Sequence, residues 1–324
     1  MMPIVFILSL LIVCATTDGW AGEAKSFHVG YGQAVGSAMD MLCKDFSKRV
    51  TAASEGELKA QCYPAAQLGK ARDFVESLQL GSVEMHIQGD ALATFVAPEW
   101  ALVLSAPFVI RDLEHLHKVM DGPTAKPMYD ALLARKGIRH LGWLDRGPRY
   151  LTSNRPIKEP ADLKGLKLRV QEIETHVWAW KTLGATVVPM DFAEVFLALT
   201  QGTIHAQENP LEIIYNQSVY QAQKYINQTA HQVGAFEIVA SEKWLKTLSA
   251  EQQKVIAESV TAATATANKI QEAEEARYEK TLREKGVIFN PVDRAKFEEG
   301  LKDMPKVFSA KWKPGFYETV KSVR

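Results

Sequence analysis

The sequence has no surplus of either charge, few cysteines and no long apolar run in its body. Lysine and arginine together number 38, and aspartate and glutamate also number 38. Such a balanced chain has no long-range field to gather phosphate, so we expect no nucleic-acid partner. No run reaches the ~18 apolar residues of a membrane-spanning helix, so we expect the mature protein to be soluble.

The chain also lacks internal repeats and a flexible linker rich in proline, glycine and serine. Its 324 residues are enough for two modest domains or one large one. Without a linker, two lobes would have to be joined by crossing strands rather than by a tether.

The one marked apolar run lies at the N-terminus. It covers the thirteen residues from Pro3 to Ala15, and small side chains follow at Gly19 and Ala21. This pattern predicts a secretory signal peptide over residues 1–21, with Ala24 as an alternative cleavage position, and therefore a periplasmic protein. No lysine or arginine precedes the run, which leaves an uncleaved anchor open.

Two cysteines, Cys43 and Cys62, remain after this signal. Cys43 lies on the apolar face of a predicted helix, and Cys62 lies on the apolar face of a predicted strand. Both are expected to point inward, so the sequence is compatible with two buried thiols or, in an oxidising compartment, with a disulfide.

Short strands and amphipathic helices alternate along the chain, which predicts an α/β fold with largely parallel sheets. A second α/β series starts near Arg149, so we expect two lobes with a cleft between them. We assign residues 22–146 and about 235–274 to lobe I, and residues 147–234 and about 275–324 to lobe II. Ser249, with Gln252 three residues later, begins a helix to about Lys285 that is long enough to lie across both lobes.

Catalytic and cofactor motifs are poorly matched. The loop Gly30–Gly36 has the spacing G-x-G-x-x-x-G, one residue off the dinucleotide fingerprint, so a glycine-lined opening into the cleft is the better interpretation. His115 and His117 lie at i and i+2 and point to different helix faces, which argues against a metal site. We therefore expect no cofactor, no metal and no catalytic residues.

An ordered series of motifs runs through most of the mature chain. Its members are YPAAQLG (63–69), APFVIRDLEH (106–115), GPRYLTSNRPI (147–157), EPADLKGLKLRV (159–170) and VPMDFAEVFLALTQGTIHAQENPL (188–211). Together they resemble the solute-binding subunits of tripartite ATP-independent periplasmic (TRAP) transporters, in the dicarboxylate- and sialic-acid-binding family. The resemblance implies two lobes that close on a small organic acid, a membrane permease as partner, a monomer and no enzymatic turnover.

The same resemblance assigns ligand-binding roles in lobe II. Arg169, in the K-x-R-V strand, matches the family arginine that binds the ligand carboxylate, a role suited to a planar fork of donors. Arg149 matches a second family arginine, Asn209 matches an asparagine that hydrogen-bonds the carboxylate, and Phe192 matches a ring that packs on the ligand. Other roles remain open, namely an ion pair for Arg169, orientation or hinge contacts for Arg149, a helix N-cap for Asn209 and core packing for Phe192.

Lobe I departs from the better-known members of the family. Sialic-acid binders have an acidic residue where this chain has Gln88, followed by Gly89, so we do not expect sialic acid. Gln33 lies where some members have a ligand-binding asparagine, and Trp178 is a candidate stacking wall in lobe II. A periplasmic sensor that binds the same ligand is the alternative function, and an enzyme on a related scaffold is a third.

Overall fold

The computed structural model describes residues 24–89 and 91–324. The predicted signal peptide lies outside the described residues. Within those residues, no helix combines the length and apolar character needed to cross a bilayer.

The described residues alternate between strands and helices, as the sequence predicts. The strands are β1 (Lys25–Tyr31), β2 (Leu58–Tyr63), β3 (Met85–Gln88), β4 (Ile138–Arg146), β5 (Tyr150–Ser153), β6 (Lys167–Val170), β7 (Thr186–Pro189), β8 (Ala206–Asn209), β9 (Tyr225–Asn227), β10 (Gly234–Ser241) and β11 (Ile288–Asn290). The helices are α1 (Ala38–Ala53), α2 (Asp73–Leu80), α3 (Ala91–Val96), α4 (Pro98–Leu104), α5 (Leu113–Met120), α6 (Lys126–Lys136), α7 (Glu174–Thr182), α8 (Val195–Thr200), α9 (Leu211–Asn216), α10 (Val219–Ala222), α11 (Glu242–Leu245), α12 (Ala250–Glu284), α13 (Arg294–Gly300), α14 (Met304–Val307) and α15 (Phe316–Ser322). Short 3-10 turns lie at Pro160–Leu163 and Phe192–Glu194.

The strands form two sheets, and each sheet is the centre of one lobe. The first sheet has the order β2-β1-β3-β10-β4, and the second has the order β11-β9-β5-β8-β6-β7. We call the elements packed around the first sheet lobe I and those around the second lobe II. In lobe I, β1 runs parallel to β2 and β3, while β10 runs antiparallel to β3 and β4. The predicted two-lobed α/β architecture is therefore confirmed.

Two chain crossings and one helix connect the sheets. The chain passes from β4 to β5 through residues 147–149 and returns from β9 to β10 through residues 228–233. Helix α12 has 35 residues and begins at the predicted Ser249 N-cap, whose side chain accepts from the Gln252 amide. Its first half packs on lobe I through Ile256 and Val260, and its second half packs on lobe II through Leu282. The long helix across both lobes is confirmed.

A disulfide joins Cys43 of α1 to Cys62 of β2, with a Cα–Cα distance of 6.0 Å. The structure thus decides between the two states that the sequence left open. The bond ties a helix to the edge strand of lobe I, at a point remote from the crossings between lobes.

The C-terminal segment contacts a distant part of the chain, which no local pattern predicted. The Lys313 amide donates to the Glu99 carbonyl at 2.8 Å, and a His115 ring nitrogen lies 2.9 Å from the Val320 carbonyl. Helix α15 therefore packs beside α4 and α5. Our assignment of residues 275–324 to lobe II stays a prediction.

One strand of lobe II was misplaced by sequence analysis. The sequence predicts a strand over Thr203–Ala206, but β8 covers Ala206–Asn209, and all four of its residues are buried. Three of the four are Gln207, Glu208 and Asn209, which are polar. Their burial depends on partners from other strands, so apolar periodicity could not reveal this strand.

Candidate ligand-binding cleft

A cleft of about 410 Å³ lies between the two lobes. Its walls come from chain segments at or just beyond the ends of strands. These are Gly32 and Gln33 after β1, Gln88 and Gly89 at the end of β3, Arg146 at the end of β4, Arg169 in β6, residues 189–194 after β7, and Asn209 at the end of β8. The position agrees with the rule that α/β proteins bind ligands beyond the carboxyl ends of their strands.

Arg169 is the buried cation of the lobe II wall. Its side chain lies in β6, which pairs with β7, and only 2% of its surface is exposed. Its Nε and Nη2 donate to the Met190 carbonyl at 3.0 and 2.7 Å. Its Nη1 is buried and has no hydrogen-bond partner among the described residues. One end of the guanidinium is thus held by the main chain, and the other end still has donors to offer.

The charge of Arg169 persists despite its burial. Desolvation lowers its pKa to about 10, with Glu208 acting in the opposite direction. At neutral pH the guanidinium is therefore protonated. The Phe192 ring centroid lies 5.9 Å from its Cζ, and both side chains line the cleft. A buried cation without a carboxylate hydrogen-bonded to it favours an anionic ligand.

Asn209 is fixed in the cleft wall by its neighbours. Its Oδ1 accepts from Arg146 Nη2 at 3.0 Å, and its Nδ2 donates to Gln207 Oε1. The alternative role of Asn209 as a helix N-cap is not observed. Pro210 is the N-cap of α9, and no side chain makes a capping hydrogen bond at this helix end. Asn209 therefore faces the cleft with its amide orientation set by the protein.

Arg146 is a cleft residue that the sequence analysis missed. It is 5% exposed, and its Cζ lies 4.9 Å from the Phe236 ring centroid. The lack of a side chain at Gly89 makes room for it, since a Cβ there would lie 3.0 Å from Arg146 Nη1. The sequence predicts a strand over Ile138–Leu144, but β4 continues to Arg146 and carries this side chain to the cleft. Extending the strand to the next glycine, Gly147, would have found it.

Besides Arg146, lobe I supplies uncharged donors and acceptors to the inner wall. Gln88 ends β3 and Gly89 follows it, and both line the cleft. Gln33, which is 3% exposed, lines the same cleft. Gln33 Nε2 donates to Glu212 Oε2 of lobe II at 3.4 Å, so this side chain also contributes to the contact between lobes. Gly32 has open space where a Cβ would stand, which leaves room in the cleft.

Arg149 does not line the cleft. Its side chain is fully buried and forms a two-pronged ion pair with Glu208, in which Nη2 lies 2.7 Å from Oε1 and Nε contacts Oε2. His231 Nε2 lies 3.0 Å from the same Oε2. Burial opposes ionisation of Glu208, but Arg149 and His231 outweigh it and hold the pKa of this carboxyl well below its usual range. This trio lies behind Asn209 and stabilises the strand that carries it.

Trp178 also lies away from the cleft. Its ring meets the Phe308 ring edge-on at a centroid distance of 5.8 Å, and it packs against the core of lobe II. Helix α7 turns this side chain toward the C-terminal segment, which sequence analysis could not place. The structure therefore brings together Arg169, Asn209, Phe192, Gln88, Gly89 and Gln33, and leaves Arg149 and Trp178 outside the cleft wall.

The structure has two α/β lobes, two chain crossings between them and a cleft with a buried guanidinium. These features define a two-lobed solute-binding protein. The model of the family described as bacterial extracellular solute-binding protein, family 7, matches residues 32–311. The chain belongs to this family, which supplies the solute-binding proteins of TRAP transporters.

Several characterised proteins are similar over almost the whole chain. The 2,3-diketo-L-gulonate-binding periplasmic protein of Escherichia coli is 30% identical, covering 93% of this chain and 92% of its own. A TRAP solute-binding protein of Roseobacter denitrificans with bound L-galactonate has a TM-score of 0.86 and 30% identity, covering 92% of this chain and 98% of its own. The sugar acid binding protein of Advenella mimigardefordensis in complex with galactonate has a TM-score of 0.89 and 29% identity, covering 93% and 98%.

Proposed function

We propose that this protein captures a sugar acid, a hydroxylated monocarboxylate, in the periplasm and delivers it to a TRAP permease without chemical change. The observation that carries the proposal is Arg169, whose charged guanidinium is buried in the cleft. Among the described residues, no carboxylate is hydrogen-bonded to it and its Nη1 has no partner. A ligand carboxylate would complete its hydrogen bonding and neutralise its charge.

The other polar cleft residues suit a ligand with hydroxyl groups. Gln33, Gln88 and Gln171 present amides that donate or accept, as hydroxyls do. Asn209 and Arg146 form a fixed hydrogen-bonded pair beside them. The cleft volume of about 410 Å³ falls within the range of roughly 300–1,000 Å³ that is usual for small-molecule sites. Phe192 and Phe236 offer apolar surface for the carbon backbone of the ligand.

The names of the relatives support the same ligand class. Four of the relatives with identities of 29–30% bind 2,3-diketo-L-gulonate, L-galactonate, galactonate and D-erythronate. All four are hydroxylated acids. We assign Arg149 a supporting role, in which its ion pair with Glu208 holds β8, and hence Asn209, in position. Capture would proceed by hinge closure, with residues 147–149 and 228–233 as the hinge and a monomer as the working unit.

A thermal-shift screen tests the ligand class. The mature protein would be mixed with galactonate, galacturonate, erythronate and succinate, and with the amide of each acid. A ligand at 100 times its Kd adds about 2.7 kcal/mol to native stability, so binding should raise the Tm clearly. We expect a shift with a sugar acid and none with its amide. Recovery of the ligand unchanged after long incubation tests the absence of turnover.

Substitution of Arg169 by lysine tests the assigned residue. A lysine keeps the charge but loses the planar fork, so Arg169→Lys should weaken binding of the preferred acid by about 2–3 kcal/mol, some 30- to 150-fold. Arg155→Lys is the matched control, because Arg155 lies exposed in the same lobe. Calorimetric titration measures both. Equal affinity of Arg169→Lys and wild type would contradict the assignment, and no binding by any acid would contradict the proposed function.

A further inference from the structure

Two ion pairs join the lobes at the mouth of the cleft. Lys70 Nζ of lobe I lies 2.6 Å from Glu194 Oε1 of lobe II. Arg72 Nη2 lies 3.2 Å from Glu172 Oε2, also across the mouth. All four residues belong to the cleft lining, yet their side chains are 47–69% exposed. They therefore form the rim of the cleft rather than its ligand-contacting interior.

The lobe I side of this rim is held in place by its own loop. Both cations lie between β2 and α2, and the Lys70 amide donates to Asp73 Oδ2 at 2.9 Å. Gly69 has a φ of +120°, a conformation that favours glycine. The Arg72 guanidinium lies 4.4 Å from the centroid of the Phe95 ring, which restricts its side chain. Pre-positioned cations lose less entropy when they pair, which strengthens an exposed ion pair.

The lobe II side is close in sequence to the ligand-binding wall. Glu172 follows Arg169 by three residues, and Glu194 lies in the same 3-10 turn as Phe192. A ligand that draws Arg169 and Phe192 toward lobe I would bring both carboxylates to their partners. In each pair the cation belongs to lobe I and the carboxylate to lobe II, so the two partners meet only when the lobes approach each other at the mouth of the cleft.

We propose that Lys70–Glu194 and Arg72–Glu172 form a two-point ionic latch that holds the lobes closed and slows release of the ligand. This inference rests on the proposed function, because it concerns release from the same cleft. Exposed pairs are screened by salt, with a Debye length of about 30 Å at 0.01 M and about 3 Å at 1 M. The latch should therefore make the dissociation rate depend on ionic strength, with less effect on association.

The test measures ligand dissociation by stopped-flow displacement in Glu172→Gln, Glu194→Gln and the double variant. An exposed ion pair contributes about 0.2–1 kcal/mol, so each single change should raise koff about 1.5- to 5-fold at about 0.01 M salt. Wild-type koff should rise with salt toward that of the double variant, which should respond little. The charge exchange Lys70→Glu with Glu194→Lys should restore slow release.

Glu114→Gln is the matched control, because the Lys118–Glu114 pair has the same 2.6 Å separation but lies within α5, away from the cleft. Its koff should equal that of wild type at every salt concentration. A double variant with wild-type koff and wild-type salt dependence would overturn the latch while leaving ligand binding intact.

A second measurement keeps the latch testable even if no acid binds. Spin labels on Lys126→Cys in α6 and Lys181→Cys in α7 would report the distance between lobes in the ligand-free protein. Low salt should favour the shorter distances in wild type, and the double variant should lose this preference. Identical distance distributions in both proteins would overturn the latch, whereas the absence of any thermal shift would overturn the proposed function.

Discussion

Two buried arginines of lobe II differ in what surrounds their charge. Arg149 and Arg169 are 0% and 2% exposed. Arg149 lies against the carboxylate of Glu208, which accepts from two of its nitrogens. Arg169 is hydrogen-bonded instead to the Met190 carbonyl. Nη1 of each arginine has no partner in the described part of the chain, so the two residues differ in the nearby carboxylate and not in this atom.

We infer from this comparison that the countercharge, and not burial or residue type, separates the two proposed roles, structural for Arg149 and ligand-binding for Arg169. The charge of Arg149 is neutralised within the protein, so it stabilises the fold. The charge of Arg169 is not neutralised by a hydrogen-bonded carboxylate, so the folded protein bears a desolvation cost that an anionic ligand would offset. Three predictions test how the presence or absence of a countercharge changes the behaviour of a buried charged group, in order of decreasing effect on stability.

The largest effect is expected for Arg149→Met. This change leaves the Glu208 carboxylate buried without its main counterion, which should lower the free energy of unfolding by about 3–5 kcal/mol. Urea denaturation measures the loss. Adding Glu208→Leu should recover part of it, because a buried pair is often replaced by apolar side chains at little cost. A loss below about 1 kcal/mol in the single variant would remove the distinction between the two arginines.

An intermediate effect is expected for Glu275, a carboxyl with no such counterion. Burial, together with Glu212 and Glu279, raises the pKa of Glu275 from 4.5 to about 7. Its Oε1 has no hydrogen-bond partner within the described ranges. The folded state therefore binds the proton more tightly than the unfolded state, and stability should fall as pH rises from about 4.5 to about 7.

The corresponding variant is Glu275→Gln, which cannot ionise. Over that pH range, wild type should lose on the order of 2–3 kcal/mol relative to this variant. Glu272→Gln, exposed on the same helix, is the control and should follow the wild-type curve. Urea titrations at several pH values measure the difference. Parallel curves for wild type and Glu275→Gln would show that this carboxyl titrates normally.

The smallest effect on stability is expected for Arg169→Met without ligand. The change removes the desolvation cost of a buried charge, which stabilises the fold. It also leaves the Met190 carbonyl without its donors, which destabilises the fold, so the two effects oppose each other. The free energy of unfolding should stay within about 1 kcal/mol of wild type, while sugar-acid binding is lost. A destabilisation as large as that of Arg149→Met would mean that Arg169 is a structural residue after all.

Local patterns predicted much of the fold and part of the cleft. The alternation of strands and helices and the capping box at Ser249 have direct physical causes in the chain itself, and both were confirmed. The motif series identified the family and drew attention to Arg169, Asn209 and Phe192, which the structure brings to one cleft. Their roles in binding remain predictions.

Other features needed the tertiary structure because they depend on partners far away in the chain. The pairing of Arg149 with Glu208 spans 59 positions, and it places the Arg149 side chain outside the cleft wall, although the motif series marks this residue for ligand binding. The role of Arg149 in binding stays a prediction. The contact of Trp178 with Phe308 likewise joins residues that are far apart in the chain. The disulfide between Cys43 and Cys62 depends on the packing of a helix on its neighbouring strand.

The sequence by itself therefore determined the element types, the two-lobed plan and the family, since these follow from periodicity, caps and ordered motifs. Only the tertiary structure decided which buried charges are neutralised by the protein and which remain for a ligand. That outcome depends on distances of a few ångströms between groups that are remote in sequence, because electrostatic and hydrogen-bond energies change steeply over such distances.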